Sequence, residues 1–156
     1  MPIGPIVRLR PAHLNQLEAL LASNGLPAED CAEQGDIFCG IFDRDELLAA
    51  GGLEAAADYC LLRSIVVKPH YHGRGLGRAI AEFLLEQARA QGKVAVYLLT
   101  ETAAEYFEKL GFSQVERAHV PAAIASTRQF SSLCPDSARC LMTDLSRDWP
   151  RLTEPR

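Results

Sequence analysis

This 156-residue sequence lacks an overall basic balance, although a local basic patch stays open. Its 16 Lys and Arg stand against 20 Asp and Glu, a formal net charge of −4, which argues against a protein whose main business is coating nucleic acid or an anionic membrane. Paired cysteines are missing too. Cys31, Cys39, Cys60, Cys134 and Cys140 are scattered, odd in number and without C-x-x-C spacing, so neither a disulfide framework nor a metal site is expected. Reduced thiols in a cytoplasm are the simpler reading. No run is long and apolar enough to span a bilayer, and the opening Met-Pro-Ile-Gly-Pro lacks a charged segment followed by an apolar one. Repeats, low-complexity blocks and interdomain linkers are likewise absent. A soluble cytoplasmic protein is the expectation, and a homodimer stays open.

What is present is a core's worth of apolar residues, 48% against 23% charged, in a length suited to one domain. That domain is expected over residues 1–145, with 146–156, carrying Pro150 and Pro155, as a loose tail. Residues 7–10 read as a strand. From Pro11, Leu14, Leu17, Leu20 and Leu21 recur at helical spacing, and residues 28–33 read as a short second helix ending near Gly35. Residues 37–42 and 47–54 flank the polar turn Asp43-Arg44-Asp45 as a hairpin would, and Gly51-Gly52 implies a bulge or a close backbone approach. A third strand over 59–68 stops at Pro69, which completes a meander.

The period then changes. Leu76, Ile80, Phe83, Leu84 and Ala88 line one helix face until Gly92, and 94–99 follows as a nearly continuous apolar strand. Strand, helix, buried strand is a parallel crossover. Thr102-Ala103-Ala104-Glu105 has capping-box spacing for a helix over 103–110 that ends at Gly111. Strands are expected at 112–116 and 139–145, joined by the long unpatterned segment 118–137. The fold class is α+β, a mixed, mostly antiparallel sheet flanked by helices.

Between the strand ending at Pro69 and the helix beginning near Leu76, glycines alternate at Gly73, Gly75 and Gly77. Missing side chains let backbone approach a ligand, and the first amides of a helix have no partner within it. Together they make an anion site. Lys68, Arg74 and Arg78 lie in this stretch with no acid among them. A P-loop would need G-x-x-x-x-G-K followed by Ser or Thr, and a dinucleotide fingerprint would need G-x-G-x-x-G early in a doubly wound fold. Neither fits. A glycine-rich turn with merely solvated arginines is the remaining alternative.

The run from Ser64-Ile65-Val66-Val67-Lys68-Pro69 through His72-Gly73-Arg74-Gly75-Leu76-Gly77 resembles the acetyl-CoA motif of the GNAT superfamily, Q/R-x-x-G-x-G/A after a strand. Tyr106-Phe107-Glu108-Lys109-Leu110-Gly111-Phe112 resembles its second hallmark, an aromatic pair followed by a charged turn and Gly-Phe. The resemblance covers residues 7–145 and implies a splayed parallel strand pair, 61–68 and 94–99, that forms the coenzyme A cleft. By it, backbone groups of Ile65 and Val67, with Val66 between them, pair with pantetheine. Amides from Gly73 through Arg74, Gly75, Leu76 and Gly77 to Arg78 hold the pyrophosphate. His72 stands where the family usually has Gln or Arg; it is either a donor or a plain turn residue. Acetyl-CoA is the implied cosubstrate, with no metal.

In this family the amine attacks the thioester directly, and the resemblance makes the Val67 amide the oxyanion donor. The tyrosine that many relatives use to protonate the thiolate falls here at Phe107. Tyr106 is one step, about 100°, around the helix and either serves instead or packs. Thiols near pKa about 8.5 are fair leaving groups without help. Thr100 and Thr102 lie at the mouth of the parallel strand, where Thr100 could orient cofactor or substrate and Thr102 is expected to cap. Glu54 is the first candidate for the base, against a solvated strand-end carboxylate. Arg63, inside an apolar strand, needs an anionic partner, either a substrate carboxylate or a structural acid.

Residues 98–112 resemble the acetyltransferase domain of N-acetylglutamate synthases. The runs Val120-Pro121-Ala122-Ala123-Ile124 and Phe130-Ser131-Ser132-Leu133-Cys134-Pro135 are similar to small GNAT proteins associated with arsenic-resistance operons. A small-molecule amine, glutamate-like or an arsenical analogue, is the implied acceptor. Cys134 and Cys140 are either arsenic-binding thiolates or ordinary buried cysteines. The rival readings are a coenzyme A sensor that has lost catalysis, suggested by Phe107, and an N-acetyltransferase of a protein or peptide amine.

Overall fold

The structure is a computed structural model that describes residues 4–26, 37–133 and 137–145. The expected helix over 28–33, Cys31, Gly35, Cys134 and the tail 146–156 lie outside the described residues. The chain divides into two compact units, the first drawn from residues 1–54 and 62–86, the second from 55–61 and 87–156. Seven described strands follow the order β1-β2-β3-β4-β5-β7-β6.

The first unit carries β1 (Ile6–Arg8), β2 (Ile37–Asp43), most of β3 (Glu46–Ala56), the later part of β4 (Tyr59–Val67), and helix α1 (Leu14–Ser23). β1 pairs antiparallel with β2, and β2 with β3. The leucine spacing of α1 does its expected work: Leu17, Leu20 and Leu21 are buried against Phe38, Leu47, Ala50 and Val66, each leucine contributing about 1.5–3 kcal/mol relative to exposure. Gln16 locks the helix to the hairpin, since its side-chain amide donates to the Asp45 carbonyl and accepts from the Leu47 amide, both at 3.1 Å. The bulge sits between Ile41 and Phe42, and Gly51 and Gly52 keep regular register with Cys39 and Phe38. What approaches the glycine pair closely is side chain rather than backbone. A Cβ on Gly51 would lie 2.5 Å from Ile65 Cδ1 and from Ile80 Cγ2, so the glycine lets helix α2 (Leu76–Ala90) lie directly on the sheet. The buried stripe of α2 is Leu76, Ile80, Ala81, Leu84, Leu85 and Ala88, with Phe83 only half-buried.

In the second unit, β4 pairs parallel with β5 (Ala95–Thr100) through Tyr59↔Ala95, Cys60↔Val96 and Leu61↔Tyr97. This is the parallel crossover expected from the change of period. β5 pairs antiparallel with β7 (Arg139–Asp144), and β7 with β6 (Ser113–Val115). The unpatterned stretch is not a bare loop. It holds a 3-10 turn at Arg117–His119, a single-turn helix α4 (Ala122–Ala125) and a π-turn at Gln129–Leu133. Ile124 is buried in a cluster with Leu61, Ala95, Tyr97 and Cys140, and Val120 and Phe130 pack against it. Arg117 ties the segment down: its guanidinium donates to the carbonyls of Ala138 (3.0 Å) and Phe130 (3.4 Å) and lies over the Phe130 ring.

Candidate functional site: the glycine loop and the β4 backbone

β4 leads straight into the loop. The Lys68 amide donates to the Leu48 carbonyl at 2.8 Å, the last tie to β3, and Pro69–Tyr71 form a 3-10 turn. Gly73 and Gly75 both have φ +79, and a Cβ on either would meet nothing within 4 Å. Their left-handed backbone is what requires glycine, and their open side faces free space. The first helical bond of α2 runs from the Ala79 amide to the Gly75 carbonyl at 3.0 Å, so the amides of Leu76, Gly77 and Arg78 form the unbonded first turn that every α-helix carries. Two exposed glycines, unbonded first-turn amides and the positive end of a fifteen-residue helix thus converge at one place.

The basic residues are less uniform than the sequence implies. Lys68 pairs with Glu46 from β3, and Arg78 with Glu82 one turn along at 3.1 Å. Arg74 lies over the Tyr71 ring, 5.0 Å from its centre. His72 turns back, its Nε2 lying 2.8 Å from the Val67 carbonyl. A carbonyl accepts, so that nitrogen carries the proton, and a neutral imidazole then has only an acceptor left at Nδ1. His72 therefore braces the loop against the strand, a contact without a sequence signal.

Ile65 and Val67 are half-buried and Val66 is buried. Just before them Ser64 has φ +60, a left-handed residue in the middle of a strand that costs about 1–3 kcal/mol unless its surroundings hold it. Arg63 is bonded to it. Its Nε donates to Ser64 Oγ at 3.1 Å, its NH1 lies 3.6 Å from Glu54 Oε1, and its guanidinium sits 5.5 Å from the centre of the Phe38 ring. With side chains 1% and 16% exposed, the Arg63–Glu54 pair is interior. Arg63 thus has a carboxylate beside it, and Glu54 is part-buried rather than a fully solvated strand-end residue.

Helix α3 (Ala104–Lys109) carries the aromatic pair. Phe107 is 7% exposed, with Tyr106 (ring centres 5.2 Å apart) and Phe112 (5.9 Å) edge-on to it, whereas Tyr106 is 41% exposed. The expected capping by Thr102 is corrected. The cap residue is Ala103, without a side-chain cap, and its amide donates to Thr100 Oγ1 at 3.0 Å. The helix starts one residue later than expected, at Ala104, which makes Ala103 rather than Thr102 the cap residue. In the second unit an open cavity of about 400 Å³ is lined by Tyr97, Gln114, Val115, Glu116, His119 and Met142. Burial, with smaller contributions from Tyr59, Cys140 and Asp144, pushes the Tyr97 hydroxyl above its usual pKa. Cys140 is buried, its thiol pushed up to about 11 by desolvation, which disfavours the thiolate a soft metal would need. Among the described residues no group of three or more His, Cys, Asp or Glu could hold a metal ion, and no helix is long and apolar enough to cross a membrane.

A family model for the acetyltransferase (GNAT) domain matches residues 33–114, just over half of the chain. The chain belongs to the GNAT acetyltransferase family. Over 57 residues it is 40% identical to a glucosamine 6-phosphate N-acetyltransferase of Trypanosoma brucei brucei, a match that takes in 36% of this chain and 39% of that protein. Its fold is that of a GNAT-family acetyltransferase from Staphylococcus aureus, with a TM-score of 0.77 at 16% identity over 92% of this chain and 99% of the other. The same score and identity relate it to N-acetylglutamate synthase from Neisseria gonorrhoeae in complex with coenzyme A and N-acetyl-glutamate, over 94% of this chain and 36% of that one. These structural likenesses establish the GNAT fold, including the parallel β4–β5 pair.

Proposed function

We propose that this chain is an acetyl-CoA-dependent N-acetyltransferase acting on the amine of a small amino-acid-like molecule, glutamate or an analogue such as an arsenical amino acid. The observation that carries the donor half is the loop itself. Gly73 and Gly75 are left-handed with open space beside them, directly before the free amides of α2. A diphosphate suits that cradle, since backbone donors reach it without side-chain obstruction and the helix dipole favours its charge. Arg74 adds a cation at the loop's outer edge. The backbone of Ile65 to Val67, set off by Ser64, takes the pantetheine arm.

The chemistry then asks three things of the chain. The acceptor amine must lose a proton, and Glu54 takes it directly or through water. The carbonyl oxygen gains charge as the C–N bond forms, and the Val67 amide stabilises it. The C–S bond breaks and the thiolate leaves, picking up its proton from solvent or from the exposed Tyr106. Thr100, half-buried at the end of β5, retains a hydroxyl hydrogen to donate while its oxygen serves the Ala103 amide. The acceptor class is supported by the resemblance of residues 98–112 to N-acetylglutamate synthase domains and by the fold shared with the Neisseria enzyme.

Incubating the protein with acetyl-CoA and a panel of amines, and following thiol release, tests the reading. Turnover on glutamate-like amino acids is expected; turnover only on peptide N-termini would replace the acceptor assignment. One observation favours a second reading. Phe107, packed and 7% exposed, leaves no hydroxyl at the family's usual acid position, as a coenzyme A sensor would allow. Tight coenzyme A binding with no turnover on any amine would favour the sensor.

A further inference from the structure

We infer that Arg63 is a positioning residue: it holds the left-handed turn of β4 at Ser64 and so sets the backbone of Ile65 to Val67. The inference rests on the proposal that this backbone receives the cofactor. A serine at φ +60 inside a strand persists only where its surroundings fix it. Here the fixing group is itself held on two further sides. The Arg63 Nε holds Ser64 Oγ at 3.1 Å, Glu54 meets NH1 at 3.6 Å, and the Phe38 ring lies 5.5 Å from the guanidinium carbon. Phe38 can take that place because Gly52 has no side chain, a Cβ there falling 2.5 Å from the ring.

A buried guanidinium is costly to keep unless each contact is satisfied, and this one is joined to the only non-glycine left-handed residue of β4. Because strand side chains alternate, a turn at Ser64 decides which faces Ile65, Val66 and Val67 present. Ile65 is then pinned from the other side, its Cδ1 occupying the space left by Gly51. An Arg63 that merely filled the interior would have no reason to act through Ser64, and that difference can be tested.

The test compares wild type, R63M, S64G, S64A and the double variant R63M/S64G, by calorimetric coenzyme A titration and by the Cα and Cβ chemical shifts of residue 64. Glycine adopts φ +60 without penalty and does not need the tether. R63M should therefore weaken coenzyme A binding about tenfold and move Ser64 towards extended shifts, and adding S64G should recover about fivefold of that loss. R63M binding as wild type, or a double variant no better than R63M, would overturn the inference. Should R63M fail to fold, S64A decides, since it keeps Arg63 against Glu54 and Phe38 but removes its acceptor. It should bind about threefold more weakly than wild type, and binding equal to wild type overturns. If wild type itself does not bind coenzyme A, the proposed function has failed rather than this inference. The shifts then decide: Ser64 unchanged in R63M overturns the positioning role, and Ser64 moving to extended values supports it.

Discussion

Replacing Gly75 with alanine separates what the loop glycines do for the fold from what they do for a ligand. Gly25, Gly75 and Gly92 have nearly the same backbone, φ +73, +79 and +76, and a Cβ at any of them would meet nothing within 4 Å. An added methyl therefore clashes with nothing in the unliganded protein, and its cost is the left-handed conformation alone, about 1–2 kcal/mol at each site. For a chain of this length that lowers Tm by about 2–8 °C. G25A, G75A and G92A should thus lose similar stability by thermal or urea unfolding. Coenzyme A binding should distinguish them sharply. In G75A the methyl occupies the open side where the diphosphate would lie, and losing one backbone bond to a charged group, at about 1.5–3 kcal/mol, weakens binding by about ten- to a hundredfold. G25A and G92A should bind as wild type. G75A binding unchanged, or G92A losing affinity equally, would refute the assignment of the loop.

Removing the Arg117 guanidinium in R117M leaves the Phe130 and Ala138 carbonyls without their donor. It should cost about 2–3 kcal/mol in urea unfolding, and an unchanged midpoint would mean the segment is held by its apolar contacts alone. F107Y would place a hydroxyl in a position 7% exposed between two aromatic rings. Destabilisation by about 1–3 kcal/mol without gain in turnover is expected, and a faster enzyme would show that the thiolate acid is limiting. Burial pushes the Cys39 thiol from 9.0 up to about 12 and Cys60 and Cys140 up to about 11. The folded state therefore keeps these protons while the unfolded chain loses them. Their contribution is full below pH 9.0 and is lost as pH rises towards 11, at up to about 1.4 kcal/mol per pH unit for each thiol. The urea midpoint of the reduced protein should fall above pH 9.0 less steeply in C39A than in wild type; parallel curves would exclude Cys39 as a source.

The sequence makes α2 and its loop legible because two independent codes agree there, alternating glycines and a change from strand to helical period. The Asp43-Arg44-Asp45 turn and the crossover from β4 to β5 are readable for the same reason. Gly51-Gly52 shows the limit. Composition signals a special backbone position but cannot tell a bulge from a close approach, because the answer depends on Ile65 and Ile80 arriving from elsewhere in the chain. Arg63 is similar: its need for an acid follows from burial, but Glu54 as that acid follows only from β3 lying beside β4. Thr102 has the spacing of a cap, but the helix starts one residue later, so Ala103 stands at the cap position. Ser64 carries no signal, since nothing in the local sequence marks a left-handed residue inside a strand. The single turns between Arg117 and Leu133 are too short to develop a period.

Titrating the intact protein in parallel with coenzyme A, ATP and NAD, and reading the shift in Tm, puts the central claim to its most direct test. Saturable stabilisation by coenzyme A, lost in G75A and absent with NAD, is the predicted result. Stabilisation by ATP or NAD with none from coenzyme A would contradict it.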